Sequence, residues 1–234
     1  MPYQAGKGGI IVNQTKLQHN IDWSRSTSRD RVFDHLICQL TGTGERVLDL
    51  GCGSGDLLLL LKREKGIREL GIELDSEYAA DCLARGLSVI QGDLEESIND
   101  FNANSFDLII LNQVMLSVPN PLKLLENGLR VGKRVIITFP NFAHWRIRLQ
   151  IMFRGRLPVN RYLPYEWYET PNIRLATVDD FMNLCQQKQI TLLEKQFISQ
   201  SSNGKLRPVI FRPNLRSSVA LFCLTSHDRN IKND

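Results

Sequence analysis

The chain has 234 residues, of which 42% are hydrophobic and 23% are charged, and this composition is typical of a soluble globular protein with room for a sizeable core. No apolar run approaches the roughly 20 residues that a membrane-spanning helix requires. The N-terminal residues also lack the apolar core of a signal peptide, so we expect a cytoplasmic protein. The five cysteines are scattered and form no C-x-x-C pair, which indicates neither a disulfide framework nor a zinc site.

The net charge of +4 conceals an uneven distribution along the chain. Residues 46–113 carry a net charge of −7, whereas residues 121–174 carry +7. An acidic substrate, a nucleic acid or a protein partner could dock on the basic part. The alternative is a solvated basic face without a partner, and charge alone does not separate the two.

Short strands and helices alternate through the chain, which predicts a parallel sheet with helices on both faces. Residues 1–27 are polar with weak periodicity and are interpreted as an N-terminal arm before a single domain, residues 28–234. Strands are expected at 46–50, 69–73, 87–91, 105–111 and 134–139. Helices are expected at 29–40 with a Ser28 cap, from near Ser54 to near Gly66, at 76–85 with a Ser76 cap, and at 121–130.

The pattern changes after Pro140. Residues 141–153 fit either an amphipathic helix, which we favour, or an alternating strand. Thr177 and Asp180 form a capping-box pattern before a helix that reaches Gln187. The remaining segments are an irregular stretch at 155–171, strands at 190–198 and 219–225, and a loop at 201–218.

Three alternate glycines, Gly51, Gly53 and Gly55, follow the strand at 46–50, and a leucine-rich helix comes directly after them. A strand, a glycine turn and a helix open a nucleotide-binding sheet, in which the N–H groups at the helix start point at the ligand. Glycine also lets a ligand approach the backbone because no Cβ intervenes. The alternative is a glycine turn that only packs helix against strand.

Carboxylates near this turn decide which nucleotide suits it. Asp49 and Asp56 flank the turn, Glu73 ends the next strand, and Asp93 follows the one after. Because carboxylates repel a diphosphate, NAD and ATP are poor candidates. A ligand with a sulfonium or ammonium charge and ribose hydroxyls is favoured, since the hydroxyls can donate to carboxylates. S-adenosylmethionine has all of these features.

Residues 46–139 resemble the class I S-adenosylmethionine-dependent methyltransferases in the glycine loop and the acidic residues that follow it. The resemblance implies an α/β, Rossmann-like fold with a seven-stranded, mostly parallel sheet whose last strand is antiparallel. It also implies that Glu73 holds the ribose hydroxyls and that Asp93 accepts from the adenine amino group. The residues it assigns to cofactor binding are Asp49, Gly51, Cys52, Gly53, Gly55, Glu73, Leu74, Asp93, Leu94, Asn112 and Gln113.

Three longer motifs resemble the MetW family of methionine biosynthesis proteins over nearly the whole predicted domain, but not over the arm. They are Gly92-Asp93-Leu94-Glu95, Phe139-Pro140-Asn141-Phe142 followed by His144-Trp145-Arg146, and the run from Leu163 to Ile173. This resemblance implies S-adenosylmethionine binding and support of a separate homoserine O-acyltransferase, MetX, as a partner. A methyl acceptor is not established for the family.

Two other functions are weighed against that one. An active methyltransferase with a small-molecule or protein acceptor is the alternative, because methyl transfer needs chiefly proximity and alignment. A nucleic-acid methyltransferase is disfavoured, because Asn112-Gln113-Val114-Met115 stands where an Asn-Pro-Pro-Tyr signature would be expected.

Polar and aromatic side chains after the fifth strand are candidates for an acceptor pocket. They are Asn141, His144, Tyr165, Glu166 and Tyr168, of which His144, Tyr165 and Glu166 are the catalytic candidates. His144 either takes a proton as general base or hydrogen-bonds locally. Cys52 is either a reactive thiol or a small residue that fills the turn, and the second role is favoured.

Overall fold

The computed structural model describes residues 29–157, 159, 163, 165–170, 173–200 and 206–226, which form one sheet with helices on both faces. The strands are β1 Arg46–Leu50, β2 Arg68–Glu73, β3 Val89–Gln91, β4 Phe106–Asn112, β5 Gly132–Pro140, β6 Ile190–Gln200, β7 Leu206–Pro208 and β8 Val219–Ser226. The helices are α1 Arg29–Leu40, α2 Asp56–Lys65, α3 Ser76–Ala84, α4 Leu94–Ser97, α5 Pro121–Val131, α6 Trp145–Arg154, α7 Val178–Gln187 and α8 Pro213–Arg216. A 3-10 turn, Ile98–Asp100, follows α4.

The sheet has the order β3-β2-β1-β4-β5-β8-β6-β7. Every pair among the first five strands is parallel, whereas β8 is antiparallel to both β5 and β6. The predicted Rossmann-like, mostly parallel class is therefore confirmed. The strand order reverses between β1 and β4, and in such sheets ligands bind beyond the carboxyl ends of the strands at this point.

The described residues contribute eight strands and not the expected seven. The additional strand is β7, which lies inside the segment 201–218 that was expected to be a loop. It pairs with the end of β6 from Ile198↔Pro208 to Gln200↔Leu206. A proline is tolerated here because β7 is the edge strand of the sheet that the described residues form, and an edge strand accepts a residue without an N–H.

The interior consists of two apolar layers, one on each face of the sheet. Alternate residues of β4 enter different layers: Leu108 and Ile110 pack towards α1 and α2, while Ile109 and Leu111 pack towards α5 and α7. All four side chains are fully buried. This two-sided burial explains why β4 is almost continuously apolar, as expected for a central parallel strand.

Local hydrogen bonds confirm some of the expected helix starts and correct others. Thr177 caps α7 as expected, because its Oγ1 accepts from the N–H of Asp180 at 3.1 Å. The cap of α3 is Asp75 and not Ser76; its carboxylate accepts from two N–H groups of the first turn. The segment 141–153 forms a helix only from Trp145, and α4 was not expected.

Several expectations concern the chain as a whole. The predicted N-terminal arm, residues 1–27, lies outside the described residues, as does Ser28. No helix within the described ranges is long and apolar enough to cross a membrane. The five cysteines are free thiols, and four of them are buried.

The packing around Gly55 gives a stability prediction with a matched control. Gly55 has φ 79°, and a Cβ built on it would lie 2.3 Å from Leu87 Cδ1 and 2.9 Å from Cys82 Sγ. Gly44 has a similar φ of 72° but no atom within 4 Å of such a Cβ. We expect Gly55→Ala to lower the free energy of unfolding by about 2–4 kcal/mol, and Gly44→Ala by about 1 kcal/mol, because only the first adds overpacking to backbone strain. Urea unfolding followed by circular dichroism measures both, and equal losses would contradict the packing around Gly55.

Candidate cofactor-binding site

The turn between β1 and α2 is built on three glycines in the left-handed region, with φ 78° at Gly51, 54° at Gly53 and 79° at Gly55. The turn is anchored to β2, because the N–H groups of Gly51 and Cys52 donate to the carbonyl of Ile72 at 2.8 and 3.2 Å. A Cβ on Gly53 would meet no atom within 4 Å, so this glycine faces open space. Gly53 is therefore the point at which a ligand can approach the backbone.

Glu73, the last residue of β2, holds the glycine turn from the side. Its Oε2 accepts from the N–H of Gly53 at 2.7 Å, and its Oε1 accepts from the N–H of Asp75 at 3.0 Å. An ionised carboxylate has about four acceptor positions, so further hydrogen bonds from ligand hydroxyls can be accommodated. The structure thus fixes this carboxylate beside the open glycine.

Asp49 is a buried carboxylate at the centre of the site, only 2% exposed. Among the described residues, its Oδ1 has no hydrogen-bond donor. Burial, together with the smaller effects of the negative charges of Asp34 and Glu73, raises the pKa of Asp49 to about 8. A cationic ligand would supply the missing positive charge and stabilise the ionised form. These carboxylates therefore fit a sulfonium or ammonium group and disfavour a diphosphate.

Asp34 was not among the residues expected at the site. It lies on α1, is 8% exposed, and acts electrostatically on Asp49. Its sequence position carries a usable signal, because it lies one helical turn before Ile37 and next to Phe33 on the apolar side of α1. An acidic residue on a buried helix face needs a compensating partner, which marks it as a site candidate.

Asp93 and Leu94 follow β3, at the position assigned to the adenine. Asp93 caps α4, since its Oδ1 accepts from the N–H groups of Glu95 and Glu96 at 2.7 and 3.1 Å. Both bonds use Oδ1, and within the described ranges no donor to Oδ2 is found, which leaves this oxygen for a ligand donor. Leu74, directly after Glu73, is 67% exposed and offers an apolar surface nearby in the chain.

The end of β4 is fixed by Thr138, a second residue that the sequence did not suggest. Thr138 Oγ1 donates to Asn112 Oδ1 at 2.6 Å and accepts from the N–H of Gln113 at 3.0 Å. Gln113 has φ 61°, which is unusual for a residue other than glycine and is often found at functional sites. The next residue, Val114, lies against Gly51, so the exit of β4 meets the glycine turn.

The glycine turn, Glu73, Asp49 and the exit of β4 are thus brought together, and Leu94 also lies close to Gly51. Their role as cofactor ligands stays a prediction.

Cys52 has the environment of a packing residue: it is 8% exposed, and burial, the charge of Asp49 and the neighbouring Cys82 raise the pKa of its thiol. Such a thiol is a poor nucleophile.

Of the residues proposed for an acceptor pocket, only Tyr165 and Glu166 line the same groove. Asn141 is buried, and its amide is used internally: Nδ2 donates to the carbonyls of Asn214 and Ser217, and Oδ1 accepts from two backbone N–H groups. Tyr165 and Glu166 line an open groove of about 690 Å³ beside the end of α6. Tyr168 is 66% exposed and contacts the ring of Trp167.

His144 lies apart from these residues, at the start of α6. Its Nδ1 accepts from the N–H of Arg146 at 3.3 Å, which makes it the helix cap. Burial and the nearby Arg146 charge lower the pKa of His144 to about 4. The imidazole is therefore neutral near pH 7, and its hydrogen bond through Nδ1 places the proton on Nε2. His144 can donate a hydrogen bond to a ligand, but its catalytic role stays a prediction.

The fold and the glycine turn define a protein of the S-adenosylmethionine-dependent methyltransferase fold. A methyltransferase of this type from Archaeoglobus fulgidus is similar with a TM-score of 0.59 and 14% identity, over 83% of this chain and 90% of that one. The [4+2]-cyclase SpnF is similar with a TM-score of 0.56 and 15% identity, over 84% and 81%. Because a cyclase shares it, the fold by itself does not assign methyl transfer.

The chain belongs to the MetW family: the model of the methionine biosynthesis protein MetW matches residues 31–224. A relative, the bifunctional methionine biosynthesis protein MetXA/MetW of Rhodopirellula baltica, is 32% identical over 207 residues. That match covers 85% of this chain and 33% of the relative. The chain spans about a third of the length of the curated relatives it matches.

Proposed function

We propose that this MetW-family protein binds S-adenosylmethionine at the glycine turn and supports a homoserine O-acyltransferase of the MetX type. The observation that carries the cofactor is the buried Asp49 carboxylate, whose Oδ1 lacks a donor among the described residues. The observation that favours the partner is the relative whose name joins MetXA and MetW in one chain. Two functions joined in one chain indicate proteins that work together when they are separate.

The chain's own groups would hold the cofactor in three parts. Glu73 would accept from the ribose hydroxyls, Asp93 from the adenine amino group, and Asp49 would balance the positive charge of the methionine part. The bound cofactor supplies an activated methyl group on a sulfonium. Since S-adenosylmethionine lies downstream of methionine, occupancy of the site would report methionine supply to the partner.

Cofactor binding is expected to release a proton. The pKa of Asp49 is raised to about 8 without ligand, so most molecules carry a proton on this carboxyl at pH 7. A cation beside it favours the ionised form, and close to one proton leaves per ligand bound. Calorimetric titrations at pH 7 in buffers of different ionisation enthalpy measure this number. Enthalpies that do not depend on the buffer would contradict the assigned role of Asp49, and Asp49→Asn is expected to remove the dependence.

Support of the acyltransferase is tested by activity measured with both chains. We expect the acyltransferase to co-purify with this protein, and its activity to change when this protein is added and to respond to S-adenosylmethionine. The Glu73→Ala variant should still bind the partner but should abolish the response to the cofactor. Acyltransferase activity that is indifferent to this protein would reject the partnership.

An active methyltransferase is the second candidate, favoured by the fold of the structural relatives. It predicts release of S-adenosylhomocysteine when the protein is incubated with a cell extract and S-adenosylmethionine, and loss of this release in Asp49→Ala and Glu73→Ala. Binding of the cofactor without release from any metabolite or protein fraction would leave the supporting function as the better account.

A further inference from the structure

A second cavity of about 310 Å³ lies at the same edge of the sheet as the glycine turn but beyond β5. His144, which follows β5, and Ser199, near the end of β6, both line it. The carboxyl ends of these two strands lie at one edge, since both strands are antiparallel to β8. The strands β4 and β5 separate this region from β1, so the cavity is distinct from the proposed cofactor site.

Three arginines from three different elements line this cavity: Arg146 at the start of α6, Arg207 in β7 and Arg216 at the end of α8. No Asp or Glu is among the described residues that line it. Within the described ranges, none of the three guanidinium groups forms an ion pair with a carboxylate; Arg146 lies instead over the ring of Trp145, 5.3 Å from its centroid. The cavity therefore holds three positive charges that the described residues do not neutralise.

Some arginines elsewhere in the protein, by contrast, do form ion pairs with carboxylates. Arg46 pairs with Asp107 at 3.2 Å, Arg85 with Asp56 at 2.6 Å, and Arg134 with Glu45 at 2.6 Å. Guanidinium groups that line one cavity without carboxylate partners repel one another, and an anion bound between them relieves this repulsion.

The neutral groups of the cavity also suit an oxyanion. His144, whose Nδ1 is an acceptor and whose Nε2 therefore carries the proton, lines the cavity, and Ser199 adds a hydroxyl. Arginine forks match the oxygens of a phosphate group with two parallel hydrogen bonds. The volume is of the size that holds a small organic molecule and exceeds what one phosphate fills. Trp145, at the wall and 42% exposed, offers an aromatic face to the rest of such a ligand.

We propose that this cavity binds a small molecule that carries a di- or polyphosphate group, the phosphates lying between Arg146, Arg207 and Arg216. The site differs in chemistry from the acidic glycine turn, so the two ligands do not compete. A phosphate ligand here would make the protein responsive to a second metabolite class in addition to the proposed cofactor.

Calorimetric titration of the full chain with inorganic pyrophosphate, and separately with ADP, tests the proposal at fixed ionic strength. We expect saturable binding with a dissociation constant below about 1 mM for at least one probe. If pyrophosphate alone binds, the ligand is an inorganic or terminal diphosphate; tighter binding of ADP assigns a nucleotide. Binding of neither probe would overturn the proposal, as would a short single-stranded RNA that binds more tightly than ADP.

Exposed arginines provide matched variants that should leave the fold intact. Arg207→Gln and Arg216→Gln are each expected to weaken probe binding about 10-fold, which corresponds to about 1.4 kcal/mol. Arg68→Gln removes the same charge from an exposed position at the start of β2, far from the cavity, and should change binding less than twofold. Equal losses in all three variants would show non-specific attraction and contradict the site. Titration of Arg207→Gln with S-adenosylmethionine should match the wild type, which separates this proposal from the proposed function.

Discussion

Replacing Glu73 with alanine is expected to lower the affinity for S-adenosylmethionine by about 100-fold or more. The carboxylate would accept from the ribose hydroxyls, and each hydrogen bond to a charged group contributes about 1.5–3 kcal/mol. The change also removes the anchor of the glycine turn, because Glu73 accepts from the N–H of Gly53 at 2.7 Å. Calorimetric titration of the purified variant measures the loss.

Two further variants make this result specific. Glu73→Gln keeps one acceptor oxygen but loses the charge, so an intermediate loss of affinity is expected. Glu77→Ala removes the same charge from an exposed position in the first turn of α3, four residues away, and should leave the affinity unchanged. An affinity for Glu73→Ala that equals the wild-type value would show that this carboxylate does not hold the cofactor.

Replacing Asp49 with asparagine is expected to stabilise the ligand-free protein at alkaline pH, relative to the wild type. The pKa of Asp49 is raised from its ordinary value of 3.8 to about 8 in the folded protein, chiefly by burial. Between these values the folded state binds more protons than the unfolded chain, so the contribution of Asp49 is fully present below about pH 4 and is lost as the pH rises through 8. Asparagine does not titrate. The difference in unfolding free energy between the variant and the wild type should therefore grow by about 2–3 kcal/mol from pH 6 to pH 9.

Urea unfolding at a series of pH values measures this difference. Asp81→Asn removes the same charge from an exposed position of α3, where the carboxylate is hydrated in both states, and serves as the control. A difference between Asp49→Asn and wild type that stays constant over the whole series would contradict the buried, desolvated state of Asp49. Stabilisation of the ligand-free protein combined with weaker cofactor binding is the trade-off expected of a binding residue whose burial is unfavourable without its ligand.

The parts of the fold that could be predicted are those in which local sequence and burial agree. The run 105–111 is apolar because β4 is buried on both faces, and the Thr177 cap depends only on residues within one turn. The edge strand β7 could not be predicted, because its three residues pair with β6 across the chain and carry no periodicity of their own. Similarly, α4 has only four residues and is set by the Asp93 cap.

The candidate site was predictable where one motif carries several of its residues. The glycine turn and Glu73 follow from consecutive strand ends, which a parallel sheet places side by side. Thr138 and Asp34 were missed because their contributions depend on tertiary contacts: one links the ends of β4 and β5, and the other acts on Asp49 from α1. Asn141 was expected in a pocket, but its amide joins β5 to α7 and α8 within the core.

The arginines of the basic segment, residues 121–174, fall into two groups in the structure. Some of its arginines hydrogen-bond to the backbone: Arg130 donates to the carbonyls of Phe101 and Ile98, and Arg174 donates to the carbonyl of Val118. Arg146 instead lines the cavity beyond β5, together with Arg207 and Arg216, which lie outside residues 121–174. The net charge of residues 121–174 therefore does not predict a single basic surface, because contacts between distant parts of the chain decide where each arginine lies.

A calorimetric titration of the wild-type protein with S-adenosylmethionine, repeated with NAD, tests the central proposal most directly. A cationic ligand with free ribose hydroxyls suits the Asp49 and Glu73 carboxylates, whereas a diphosphate is repelled by them. We predict saturable one-site binding of S-adenosylmethionine and no binding of NAD. Binding of NAD in place of S-adenosylmethionine, or no heat with either ligand, would contradict the proposed cofactor.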